Sequence, residues 1–346
     1  PTPEEIAAFH AAVDGVTPLK KPAKVAHERP KPPPRPVQRE IDEAAAVVES
    51  LHGPFEIDDL LAIGDATSFL RPGLSRNVLR DLRRVAEEFW PANTAESWDR
   101  VGLVTGRDDA PLQRVLLAVD AVRETVNEAV AWGASVLLTH HPLLLRGVHT
   151  IAEDTAKGSL LASMLRADCA LLTAHTNADA PEGGVSDVLA VRLGLEGAEP
   201  LVVGADPASG IGRVGNLRAP VTLEAFASHV ASVLPATVSG VRVAGDPARE
   251  IRRVALCGGS GDSLLSHPTV IGADVYVTSD LRHHPAQESL EQSGVTGGPA
   301  LIDISHWAAE SLWLQGAADR LRVALPGVEF RVSERRTDVW RFAVGC

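Results

Sequence analysis

The sequence predicts an α/β protein whose largely parallel or mixed sheets are flanked by helices, with a candidate metal site at the carboxyl ends of the strands. Three observations carry this expectation. Beyond about residue 77, short runs rich in Val, Leu and Ile alternate with segments of helical period, the pattern of βαβ units. The residues directly after those runs are rich in His and Asp. Before residue 77 the alternation is missing, and that part reads as a mainly disordered or helical appendage.

The N-terminus carries Glu4 and Glu5 and has no apolar leader pattern. Residues 18–39 hold seven prolines and seven Lys or Arg against one acid, Glu28. Such a run buries too little apolar surface to offset its ordering entropy and is expected to be an extended linker. Residues 40–82 are locally helical, broken at Gly53-Pro54 and Arg71-Pro72-Gly73. The expected organisation is therefore an appendage over 1–76 and an α/β domain over 77–345.

Within that domain, strands are predicted at 115–119, 135–139, 170–174, 254–257, 275–278 and 300–304. Helices fit between them at 122–132, closed by Gly133, and at 156–167, 185–193 and 307–325. The Gly- and Pro-rich stretch 201–243, with one helix at 223–234, reads as a separate insertion or lobe.

Composition narrows the function classes. With 346 residues and 45% hydrophobic content, the chain can bury a large core. A net charge of -12 opposes general attraction to phosphate backbones or anionic membranes, so nucleic acid is not the expected partner. Cys169, Cys257 and Cys346 are far apart and form neither a disulfide framework nor a zinc ribbon. No window approaches the roughly 18 apolar residues of a membrane span. A reducing, cytoplasmic setting is expected.

In open parallel sheets, ligands gather at the carboxyl ends of the strands. The first predicted strand ends in Asp120, the second in His140-His141, and the third in His175-Thr-Asn-Ala-Asp179. The fourth leads into Cys257-Gly-Gly-Ser-Gly-Asp262, the fifth into Asp280, and the sixth into His306-Trp-Ala-Ala-Glu310. His306 and Glu310, four residues apart at a helix start, share one face in chelating geometry, although taken alone the pair is an ordinary helix-surface contact. His140 and His141 are adjacent, so in extended chain they point to opposite sides and suit two ions better than one. His175 and Asp179 lie in a turn-prone segment where Asn177 and Asp179 can equally form Asx turns. Jointly, His140, His141, His306, Asp179 and Glu310 make a mixed nitrogen and oxygen set suited to Zn, Fe, Mn or Co rather than Ca. The Gly258-Gly259-Ser260-Gly261 segment reads as a tight strand-to-helix turn and lacks a dinucleotide or P-loop spacing.

Five ordered motifs carry a resemblance: SWDRVGLVTG at 97–106, LLTHHPLLLRGV at 137–148, AHTNADAPEGGVSDVLA at 174–190, ADVYVTSDLRHHPAQE at 273–288 and LIDISHWAAES at 301–311. Over about 77–345 the chain resembles the NIF-three-like dinuclear metal-centre family, some members of which are labelled GTP cyclohydrolase I type 2. The resemblance implies two divalent metal ions per chain, held by His140, His141, Asp179, His306 and Glu310 with Glu310 as the bridge. It also implies a homohexamer, a trimer of dimers whose metal sites face an internal cavity. The stretch between Asp179 and His306 is too short for the ferredoxin-like insertion found in some relatives. The segments at 15–40 and 68–84 resemble the leader of bacterial Smr-domain proteins, without the nuclease domain, which suggests a fused chain.

Two functions fit these readings. The first is a metal-dependent hydrolase acting on a nucleotide or phosphorylated small molecule, with His175, Asp280 or His284 orienting ligands or shuttling protons. The second is a metal-stabilised hexameric scaffold or regulatory protein without turnover.

Overall fold

The computed structural model describes residues 1–17, 77–204 and 206–345. The chain divides into two units, Pro1–Phe69 and Leu70–Cys346. In the first, helix α1 (Pro3–Ala12) is opened by a capping box, the Thr2 hydroxyl accepting from the Glu5 amide and the Glu5 carboxylate from the Thr2 amide. None of its residues is buried. The cation-rich linker at 18–39, the helical expectation for 40–76, most of the Smr-like leader and the domain break expected after residue 76 lie outside the described residues.

The second unit begins with α2 (Leu79–Phe89), β1 (Gly102–Thr105), β2 (Arg114–Ala118), α3 (Arg123–Trp132), β3 (Val136–Thr139), α4 (Ala156–Arg166), β4 (Ala170–Thr173), the single turn α5 (Thr176–Asp179) and α6 (Val185–Arg192). It continues with β5 (Leu195–Val203), β6 (Gly210–Thr222), α7 (Leu223–Val233), β7 (Arg242–Ala244), β8 (Glu250–Ser260), α8 (Pro268–Ile271) and β9 (Val275–Ser279). It closes with α9 (His283–Thr296), β10 (Ala300–Ile304), α10 (His306–Ala324) and β11 (Glu329–Val332). These strands form two mixed sheets, ordered β1-β4-β3-β2-β11 and β5-β6-β8-β9-β10-β7.

In the first sheet, β4, β3, β2 and β11 run parallel and β1 is antiparallel at the edge. Its central strands are continuous apolar runs because both faces are covered. Val115, Leu117, Val136, Leu138 and Leu172 pack toward α2 and α10, whereas Leu116, Leu137 and Leu171 pack toward Val126 of α3 and Met164 of α4. In the second sheet, Val254, Leu256, Val275, Val277 and Ile302 meet α6, α7 and Ala309 of α10. Helix α10 thus contributes Trp313, Leu314, Ala317 and Leu321 to the first core and Ala309 to the second. Its first turn lies where the carboxyl ends of both parallel strand sets converge.

The stretch 201–243 is not a detached lobe. It supplies the end of β5, all of β6, α7 and the start of β7, and β6 pairs antiparallel with β8 from Arg213↔Leu256 to Thr222↔Glu250. Glycines obscure this in the sequence: Gly212 sits at φ +67°, where an added Cβ would lie 2.7 Å from the Leu256 carbonyl oxygen. The strand predicted at 254–257 likewise runs from Glu250 to Ser260, so Gly258 and Gly259 end a strand rather than form a turn into a helix. Cys169 and Cys257 are buried and free. No helix among the described residues is long and apolar enough to cross a membrane.

Candidate metal centre

Three consecutive strand ends of the first sheet deliver imidazoles or their supports. Chain pairing persists just past β3, where the His140 and His141 amides donate to the carbonyls of Ala118 and Val119 at 3.1 and 2.8 Å. The two rings stand 5.2 Å apart, and the His175 ring, just beyond β4, lies 5.2 Å from His140. From the second sheet, the Ser305 hydroxyl accepts the Ala308 amide and starts α10, which places His306 and Glu310 one turn apart.

In each of the four imidazoles Nδ1 is engaged by the protein. His140 Nδ1 meets the Ala174 carbonyl at 2.9 Å, and His141 Nδ1 meets Asp120 Oδ1 at 2.7 Å. His175 Nδ1 meets Asp99 Oδ1 at 2.8 Å, and His306 Nδ1 meets Asp280 Oδ2 at 2.6 Å. A carbonyl only accepts, so His140 Nδ1 carries a proton, which leaves Nε2 as the nitrogen that could face a metal ion. Carboxylate and carbonyl partners on the far nitrogen are the usual support of metal-ligating histidines.

The Nε2 atoms of His140, His141 and His306 converge on Glu310. Its Oε1 lies 2.8 Å from His306 Nε2 and 3.4 Å from His140 Nε2, and its Oε2 lies 3.0 Å from His141 Nε2. Asp179 Oδ1 is 3.7 Å from His140 Nε2. Ligand atoms of His140, His141 and His175 lie within 4.8 Å of one another, as do those of His141, His306 and Glu310. Three buried atoms in this cluster, His140 Nε2, Asp179 Oδ1 and Glu310 Oε2, have no hydrogen-bond partner among the described residues. Such orphaned buried atoms are costly unless something satisfies them, and a cation facing two oxygens and a nitrogen does so. Gly259 closes one wall: at φ +71°, an added Cβ would lie 2.7 Å from Glu310 Oε1 and 3.3 Å from His306 Nε2. The residues present therefore fit a divalent metal.

Residues 78–339 match the sequence profile of the family described as Duf34/NIF3 (NGG1p interacting factor 3). The chain belongs to the Duf34/NIF3 family. A relative from Streptomyces coelicolor, named GTP cyclohydrolase 1 type 2 homolog, is 46% identical over 269 residues, covering 76% of this chain and 93% of its own. A Clostridium perfringens protein of the same name is 33% identical over 268 residues, covering 76% of this chain and 99% of its own. A Staphylococcus aureus hypothetical protein of solved structure superposes with TM-score 0.70 at 27% identity, covering 77% of this chain and 99% of that one. A Bacillus cereus protein related to NIF3 has the same fold, with TM-score 0.71 at 24% identity over 77% of this chain and 99% of that one.

The electrostatics of this Duf34/NIF3 cluster centre on one carboxylate. Burial alone would raise the Glu310 pKa, yet the facing imidazoles of His141, His140 and His306 hold it well below the usual range. Burial likewise opposes charge on His141 and His306, but Glu310 together with Asp120 or Asp280 pushes them up to about 11 and about 10. Burial raises Asp179 to about 6. Asp99 is also opposed by burial, but donors from His175 and Thr176 keep it ionised well below the ordinary range.

Of the residues singled out for chemistry in the sequence, His175 lies inside the cluster and Asp280 directly behind His306. Asp280 adopts φ 57°, a left-handed conformation that Asp tolerates better than most residues. His284 is exposed on α9, its ring against His283, and no hydrogen bond or ion pair among the described residues joins it to the cluster. It follows the fifth strand end closely in sequence, but α9 carries it outward. Sequence reasoning passed over Asp99 and gave Asp120 no role. The signals for them were the Trp98-Asp99 pair of the first motif and the acid ending the first predicted strand. A cavity of about 260 Å³ adjoins His141 and His306 and is lined also by Arg242, Trp307 and Trp340.

Proposed function

We propose that this protein is a metal-dependent hydrolase in which two divalent ions act on a nucleotide or another phosphorylated small molecule. One observation carries the reading: the imidazoles of His140, His141 and His306, each with Nδ1 engaged by the protein, bring Nε2 to a single buried glutamate, and His175 stands beside them. His140, His175 and Asp179 would hold one ion, His141 and His306 the other, and Glu310 would face both. Ions bound there supply Lewis acidity and activate water near neutral pH. Asp120, Asp99 and Asp280 fix the ring orientations of His141, His175 and His306, and the Ala174 carbonyl fixes that of His140. Asp280 acts by orienting His306, and His284 carries no part in this reading.

The cavity beside His141 and His306 gives a small molecule access to the half-exposed edge of the cluster. Arg242, whose guanidinium pairs with Asp303 at the cavity wall, has further N–H groups to offer a phosphate, and Trp307 and Trp340 offer flat faces to a ring. The relatives' shared name makes GTP ring opening the first reaction to assay. Family resemblance further supports a cytoplasmic homohexamer built as a trimer of dimers. Light scattering that reports a monomer at micromolar concentration would count against that assembly.

The test is a screen of metal-loaded protein against GTP, other nucleotides, phosphoesters and peptides. Turnover that disappears with a chelator and in Glu310→Gln supports the hydrolase. Inactivity across the whole screen, with both ions bound, favours the metal-stabilised scaffold instead.

A further inference from the structure

Resting on the metal reading above, we propose that Thr337 and Asp338 form a clasp that positions the imidazoles of His141 and His306 relative to each other. These two rings come from different sheets, yet their Nε2 atoms lie 3.2 Å apart. Helix α10 packs on both cores, and the register of the two strand ends at the site itself is set by contacts nearer the imidazoles.

After β11, the Ser333 amide donates to the Leu117 carbonyl at 2.8 Å, keeping the chain beside β2. The next residues then reach both halves of the site. The Thr337 hydroxyl donates to Asp120 Oδ2, while Asp120 Oδ1 meets His141 Nδ1 at 2.7 Å. Both oxygens of that carboxylate are thus engaged, and its rotation is fixed. Asp338, only 6% exposed, accepts the Ser305 hydroxyl at 2.5 Å on Oδ2 and the Trp340 amide at 2.9 Å on Oδ1. Ser305 caps α10 directly before His306. Two adjacent residues therefore touch the support of His141 and the cap beneath His306.

A second observation points the same way. Among the described residues no cation pairs with Asp338. A buried carboxylate held only by neutral donors is costly to keep, and here it lies behind a cluster suited to cations. Thr337 and Asp338 also line the cavity beside His141 and His306, so they stand at the open edge of the site.

The test uses the full chain stripped of metal, titrated with Zn²⁺ against a chromophoric chelator and with Co²⁺ followed by its visible d–d bands. Thr337→Val removes the donor to Asp120 and keeps the shape; Thr337→Ser keeps the donor. Thr337→Val is expected to weaken one of the bound ions by about 10- to 100-fold and to alter the Co²⁺ bands, as loss of a ligand's support does. Thr337→Ser should restore both, and Asp338→Asn should show a smaller loss of affinity. Wild-type affinity and bands in Thr337→Val overturn the clasp, even with a lowered melting temperature, and so does equal impairment of the Val and Ser variants. A wild-type chain that takes up neither Zn²⁺ nor Co²⁺ overturns the metal centre itself, a result distinct from failure of the clasp.

Discussion

His140 and His306 both reach Glu310 Oε1, at 3.4 and 2.8 Å, yet the fold holds them differently. The His140 side chain is 1% exposed, backed by the Ala174 carbonyl and with its ring 5.6 Å from that of Trp313. The His306 side chain is 28% exposed, and its support, Asp280, is 59% exposed. One corner of the cluster is therefore part of the hydrophobic core, and the other opens on the cavity. Burial makes the first corner rigid and dry; exposure makes the second reachable by a small molecule, at the cost of needing support from loops and from the C-terminal segment.

The largest expected effect breaks both corners together. Glu310→Gln keeps the size but removes the charge between two cations, whose repulsion in a partly buried site amounts to several kcal/mol or more. Elemental analysis should find metal falling from about two ions per chain to at most one. His140→Ala and His141→Ala should each cost mainly the ion of their own corner. If Glu310→Gln retains two ions while a histidine variant holds none, the central role of Glu310 is wrong.

Gly259→Ala probes whether β8 closes onto both corners. Its left-handed backbone costs an L-residue roughly 1–2 kcal/mol, and its Cβ would meet Glu310 Oε1 at 2.7 Å. Metal affinity is expected to drop about tenfold or more, comparable with damage to a ligand's support. Unchanged affinity in a chelator competition would mean that the glycine serves the strand alone.

Protons sharpen the comparison, because in metal-free protein they hold the open corner. The His141 and His306 pKa values, about 11 and about 10, lie above the ordinary imidazole value of about 6.5. Stability drawn from these contacts is fully present below about pH 6.5 and is lost as pH rises through the folded values. Metal affinity carries the opposite sign, since each ion must displace those protons. Denaturation midpoints of stripped protein should therefore fall between about pH 7 and 10.5 while Zn²⁺ affinity rises over the same window. Parallel trends would contradict this assignment.

The smallest effect concerns the N-terminal region. The family match begins at residue 78, so a chain starting at Asn77 should keep its metal content and melting temperature within error. Loss of the folded core on that truncation would show that the region before Asn77 supports the site.

Much of the parallel framework was legible because its strands are short, fully apolar runs. The strand at Ala300–Ile304 falls where it was expected, and β2, β3, β4 and β9 end within a residue or so of expectation. The antiparallel additions were not legible. β1 has only partly buried residues, and β6 carries Gly210, Gly212 and Gly215 where a sequence reading looks for apolar alternation. His306 and Glu310 could be paired from helical spacing alone. The Asp99–His175 contact spans 76 positions and exists only once the chain has folded back. His284 illustrates the reverse case, a histidine near a strand end that the following helix turns outward.

Because each imidazole has its Nδ1 fastened before any ion arrives, the chain has already borne the ordering cost of the ligand set at folding. Such a preassembled pocket has little means of rejecting a wrong first-row ion by refusing to close. Occupancy will then follow the Irving–Williams order and the ions on offer, with copper and zinc displacing manganese or iron. The metal recovered from purified protein thus reports the growth medium as much as the physiological choice, and it should be compared across cells grown with different supplements.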